Sequence, residues 1–164
     1  MDTEKGIRDQ LSDLLRGGNA HMDFDQAVDQ FHLKYLNSHP PNSDYTPWRL
    51  LEHMRIAQWD ILEFIRNPNH VSPPWPEGYW PPEAEKADQR KWKRTIGSFR
   101  QDLQAMQAMV KDPNTSLFAS LAHAKGYTIL REVLVLADHN AYHIGEFAIL
   151  RQIMGTWPKE KAKL

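Results

Sequence analysis

The sequence predicts an all-α protein, a four-helix bundle with one long cross-connection. Three observations predict it. Four long stretches carry apolar residues at helical spacing. The prolines fall mostly in the connections between those stretches, and no stretch alternates apolar and polar residues as a half-buried strand does. No repeat of the kind a helical solenoid needs is visible. A chain of 164 residues fits one domain, residues 1–164.

The first helix is expected over Thr3 to Arg16, with Ile7, Leu11, Leu14 and Leu15 on one face and Gly17 and Gly18 as its stop. A short helical turn follows in FDQAVDQF, and HPPNSDYTP reads as a loop because a proline biases its predecessor away from the helical region. The second long helix has the clearest start. Thr46 is placed to be its N-cap and Pro47 takes the first helical position, where a missing N–H removes no bond. It runs to the residue before Asn67, with Leu50, Met54, Ala57, Ile61, Phe64 and Ile65 as one apolar arc. His53 lies on the edge of that arc and Asp60 two turns along. Residues 68–85 form a loop rich in proline and tryptophan.

The third helix is expected over about 86–111. Its stripe of Trp92, Ile96, Phe99, Leu103, Met106 and Val110 faces the bundle, and Asp112–Pro113 ends it. The fourth is expected over about 127–154 and is apolar nearly all round. Such a helix is either central to the bundle or gives its outer face to a subunit interface.

Composition removes several functions. Lysine plus arginine is 20 and aspartate plus glutamate 21, with no long run of one sign, so the basic face of a nucleic-acid module is missing. A polybasic membrane anchor is missing for the same reason. The most apolar stretch holds Arg131, Glu132, Asp138 and two histidines, too many ionisable groups for a membrane span. The opening residues lack the apolar run of a secretory signal, so a cytoplasmic location is expected. There are no cysteines, which excludes disulfides, a cysteine nucleophile and thiolate ligation of zinc or iron–sulfur clusters.

His139 and His143 are spaced i, i+4, which stacks both imidazoles on one helix face within reach of a single ion. Spacing alone equally suits two partly buried histidines satisfied by backbone or water. Their place in the middle of the most apolar helix, and a third histidine at a core margin, His53, favour a three-histidine metal site. Such a site leaves coordination positions open for water or substrate. No Glu stands three residues before any of the three, so a di-iron pattern fails, and His-Glu-x-x-His is absent.

Glu146 lies one turn beyond His143 and Asp60 two turns beyond His53. Each is a candidate to orient an imidazole, to act as general base, or to add a ligand. For Asp60 an exposed, solvated side chain is the simpler expectation. His21, His32, His39, His70 and His123 read as incidental. Trp75, Tyr79 and Trp80 either wall a pocket mouth or cap the open end of the bundle, with the structural use favoured. Arg49 and Arg131 are candidates for an anionic substrate, although helical arginines usually face solvent.

The lone histidine in LLEHMRIAQWDILEF, followed by His-x-x-x-His in ADHNAYHIGEFAILRQIMG, resembles the DinB/YfiT-like superfamily. The similarity extends over nearly the whole chain, through PWR, WPEGYWP and REVLVLADHNAYH. The resemblance implies an up-down-down-up-like four-helix bundle, a homodimer, and a divalent metal, zinc or nickel, on His53, His139 and His143. It also implies a small-molecule substrate. Characterised relatives include S-transferases and isomerases that use low-molecular-weight thiols such as bacillithiol and mycothiol, while many others have no known activity. Where many relatives have glutamine, this chain has Glu146, which adds charge and basicity beside the metal. The leading expectation is an enzyme whose ion activates water or a thiol, for transfer or hydrolysis. Its rival is a non-catalytic dimeric bundle with a structural or vestigial metal.

Overall fold

A computed structural model of the chain describes residues 3–158. It is largely α-helical: α1 (Thr3–Arg16), α2 (Phe24–Val28), α3 (Pro47–Arg66), α4 (Gln89–Lys111) and α5 (Ile129–Ile153), with a small antiparallel ribbon of β1 (Ser120–Leu121) and β2 (Ala124–Thr128). Side-chain caps set four of the helix starts. Asp23, Thr46, Asp88 and Thr128 each accept from a backbone N–H three residues on, supplying one of the bonds that a first helical turn lacks. Three sequence expectations need correction. A strand pair exists where none was expected, α4 begins at Gln89, and α5 begins only at Ile129 because β2 occupies the residues before it.

The core divides into two clusters, which give the helix directions. In one, Leu50, Leu51 and Met54 of α3 meet Trp92, Ile96 and Phe99 of α4 and Ile144, Phe147 and Leu150 of α5. In the other, Leu62 and Ile65 meet Met106 and Val110, Ile129, Val133 and Leu136, and Leu11 and Leu15 of α1. The early half of α3 thus lies beside the early half of α4 and the late half of α5. α3 and α4 run parallel, and α5 runs against both. α1 runs against α4, since Arg8 donates to the Val110 carbonyl while Gln107 donates to that of Ser12. Each large apolar side chain fully buried here contributes about 1.5–3 kcal/mol relative to exposure.

Parallel neighbours place the end of one helix far from the start of the next. α3 has 20 residues and is about 30 Å long, so residues 67–88 must travel back along its whole length. They climb its surface: His70 and Tyr79 meet Asp60, Tyr79 and Trp80 meet His53, and Pro81 meets Arg49. This connection, required by the helix directions, forms one wall of the site below. α5 buries one side, while Leu134, Val135, Tyr142, Ile149 and Ile153 remain exposed on the other. Among the described residues no helix is long and apolar enough to cross a membrane.

Candidate metal centre

α3 and α5 cross so that His53 meets His139 and His143, and these three form a group whose ligand atoms all lie within 4.8 Å of one another. The His53 Nε2 is 3.1 Å from the His143 Nε2 and 3.3 Å from the His139 Nε2. Nitrogens bound to one zinc-sized ion at about 2.0–2.1 Å stand about 2.9 Å apart at right angles and about 3.3 Å apart in a tetrahedron. The observed spacings lie within that range.

The opposite ring nitrogens settle what these atoms present. The His53 Nδ1 donates to the Tyr79 carbonyl at 2.9 Å, and a carbonyl only accepts. The His143 Nδ1 donates to the Glu146 carboxylate at 2.7 Å. In the neutral rings both protons are therefore on Nδ1, and two Nε2 lone pairs face each other at 3.1 Å. Facing lone pairs repel unless a cation stands between them. Protonation of His53 or His139 supplies that cation poorly. Burial, and then repulsion from His143 and His53, pushes His139 down to about 4, and burial also lowers His53. Neutral imidazoles with convergent lone pairs are the form that binds a metal. The His139 Nδ1 is buried and has no hydrogen bond of ordinary geometry among the described residues, while the Asn140 side chain lies close to the ring. The donor set fits a divalent ion.

His53 is the most enclosed of the three. Trp80 stacks on its ring at 4.0 Å with 4° between the planes, which closes one face to water. His139 and His143 are each less enclosed, and Tyr142 packs edge-on against His143. Glu146 is half-buried. One of its oxygens serves His143, and the Tyr45 and Tyr142 hydroxyls lie against the same carboxylate. The Tyr45 phenol is pushed up to about 12, first by burial and then by Glu146.

Asp60 corrects an expectation: it is buried. It accepts from the His70 Nε2 at 2.7 Å and from the Tyr79 hydroxyl at 2.6 Å. Its link to His53 among the described residues runs through Tyr79, whose carbonyl accepts a hydrogen bond from the imidazole N–H. Tyr79 is likewise pushed up to about 12, by burial and then by Asp60. The other histidines stand apart. His70 serves Asp60, His123 bonds the Phe64 carbonyl, His21 bonds its neighbour's carbonyl, and His32 and His39 are exposed. Trp75 is exposed, whereas Tyr79 and Trp80 build the wall of the site. The aromatic run in WPEGYW was the available signal for that role. Arg131 is exposed, and Arg49 lies beside Trp80.

Comparison with known protein families, with curated proteins and with solved structures finds no match to this chain.

Proposed function

We propose that this chain is a DinB/YfiT-like four-helix-bundle protein whose His53, His139 and His143 hold a divalent cation, zinc or nickel, open to a small substrate. The observation that carries the reading is the trio of convergent Nε2 atoms, two with their Nδ1 protons committed to Tyr79 and Glu146. The directions of α1, α3, α4 and α5 support the up-down-down-up bundle. A bound cation supplies Lewis acidity, lowering the pKa of water or of a low-molecular-weight thiol for transfer or hydrolysis. The chain's own residues preorganise the site. Tyr79 and Glu146 fix the tautomers of His53 and His143, and Trp80 keeps water from one face. The near-neutral net charge of −1 suits a small-molecule partner in the cytoplasm.

Metal content by mass spectrometry of the untagged protein beside His139→Ala tests this reading. About one ion per chain in the wild type and none in the variant is expected for a single three-histidine site. A wild type that stays metal-free after zinc or nickel is added, or a variant with full metal content, overturns it.

A second reading, a non-catalytic homodimer with a structural metal, draws on the exposed Leu134, Val135, Ile149 and Ile153 of α5. Light scattering that shows a monomer at micromolar concentration removes the dimer. A large loss of thermal stability on chelation favours a structural metal, and a small loss favours an exchangeable one.

A further inference from the structure

Gln58 of α3 and Asn140 of α5 form a polar relay in the middle of the bundle, and both are buried. The Phe99 carbonyl on α4 can only accept, so it is the NH2 group of Gln58 that stands 2.6 Å from it. The Gln58 Oε1 is then the atom that faces Asn140, and Asn140 meets it with its own NH2 group at 3.0 Å. That order fixes the Asn140 amide as well. Its Oδ1 is left over, buried and with no hydrogen bond among the described residues.

An unused buried acceptor is costly. The residues one turn to either side on α5, Leu136 and Ile144, are buried and apolar, so a leucine at position 140 would serve packing as well. The His139 Nδ1 belongs to the preceding residue. It too is buried without a bond of ordinary geometry, and the Asn140 side chain lies close to its ring. The other unpartnered buried side-chain atoms among the described residues are Trp48 Nε1, Arg49 Nε and Arg151 Nε, which only donate. The Asn140 Oδ1 is thus the one fixed acceptor of that set, and it belongs beside the one atom of the set that can carry or lack a proton.

His139 has two neutral forms. With its proton on Nε2 it donates to the His53 Nε2, 3.3 Å away, and leaves a bare Nδ1 beside the Asn140 oxygen, two acceptors unpaired. With its proton on Nδ1, the Asn140 oxygen gains a donor, and the Nε2 lone pair joins those of His53 and His143. Tyr79 and Glu146 select that second form for His53 and His143, and His139 needs an acceptor of its own. We propose that Asn140 is the positioning residue of His139, its Oδ1 accepting the Nδ1 proton so that the Nε2 lone pair is held towards the other two ligands. The proposal rests on the metal reading above. The Phe99 carbonyl then steadies the third ligand through Gln58 and Asn140, from the core instead of from the loop.

The test uses the full chain with isotope-labelled histidine, near neutral pH. Two-bond proton–nitrogen spectra read which ring nitrogen carries the proton. In the metal-free wild type His139 is expected in the Nδ1–H form. In N140L, which keeps the bulk but has no oxygen, the ring is expected to turn to the Nε2–H form. Its zinc affinity, read by competition against a chelating dye, is expected to fall roughly 10- to 100-fold. Loss of the partner of Gln58 also destabilises N140L, but affinity is measured on the folded chain and the tautomer does not report stability. A wild-type His139 protonated on Nε2 overturns the proposal. An N140L protein that binds zinc as tightly as wild type also overturns it and leaves Asn140 to the core relay alone. Should N140L fail to fold, N140A carries the same two readings, and the wild-type spectrum can overturn the proposal with no variant at all. A wild type that takes up no zinc fails the metal reading itself and the positioning role with it, whereas zinc bound with an unmoved affinity removes Asn140 alone.

Discussion

Tyr79 and Asp60 are joined by a 2.6 Å hydrogen bond from phenol to carboxylate, and the backbone of the same tyrosine holds His53. A single loop residue thus couples a buried anion to a metal-ligand candidate two turns away on α3. In Asp60→Asn one oxygen becomes an NH2 group, which cannot accept from His70 or from Tyr79. The partner that faces it loses a bond to a carboxylate and has to turn from donor to acceptor, expected to cost about 1–3 kcal/mol of folding stability. Tyr79 also loses its restraint, so affinity for zinc is expected to fall about tenfold, as for other partners that orient a ligand. Urea denaturation of the metal-free protein reads the first effect and competition against a chelating dye the second. An unchanged affinity in a variant that is clearly destabilised separates Asp60 from the centre.

Burial of two phenols, reinforced by their carboxylate partners Asp60 and Glu146, sets a pH dependence. The Tyr79 and Tyr45 phenols are pushed up to about 12 in the folded chain, against about 10 in an unfolded one. Between those values the folded state retains protons that the unfolded state releases, so stability falls as pH rises. Their contribution is whole below about pH 10 and is lost as pH rises towards 12. Phenolate absorbance against pH is expected to show late-titrating tyrosines, and Tyr79→Phe to remove one of them. A Tyr79→Phe protein with the same late amplitude as wild type contradicts the assignment.

The long helices were legible because apolar spacing and capping residues are local. Thr46 before Pro47 located the start of α3, and the i, i+4 spacing placed His139 and His143 on one face. The role of Asp60 was hidden because its partners come from the far side of a connection. His70 and Tyr79 lie 10 and 19 residues on, and they reach it only because parallel α3 and α4 send residues 67–88 back along α3. The sequence pattern carried helix identity but not helix direction, and direction decides which loop covers which face. The ribbon escaped notice for another reason. Its pairing is two residues deep on one side and irregular between Ser120 and Leu121, and β2 carries Gly126 at a φ of 88°, so no alternating pattern ever develops.

Two glycines are expected to respond to alanine with opposite signs. A Cβ at Gly78 would stand 2.7 Å from ring carbons of Pro73 and of Pro74, and proline rings cannot swing aside. The loop must shift, carrying the neighbouring Tyr79 with it, and Gly78→Ala is expected to lose about 1–3 kcal/mol. Gly97, within α4, has nothing within 4 Å of such a Cβ. Gly97→Ala is expected to gain about 0.5–1 kcal/mol from its better helix propensity. Thermal melts of the two variants give the comparison, and a Gly78→Ala protein as stable as wild type contradicts the tight loop packing.

Glu146 distinguishes an orienting carboxylate from a catalytic base. Its 2.7 Å bond to the His143 Nδ1 raises the electron density that the opposite nitrogen offers a cation. Glutamine keeps an oxygen able to accept that bond but removes the negative charge, so Glu146→Gln is expected to weaken zinc affinity about 10- to 100-fold. The folding stability of the metal-free protein should change by no more than about 1 kcal/mol, because the half-buried pair remains screened by solvent. A residue acting solely as a base would leave metal affinity intact and affect only turnover. Competition titration of the variant separates the two: affinity equal to wild type removes the orienting role and returns Glu146 to the candidates for proton transfer.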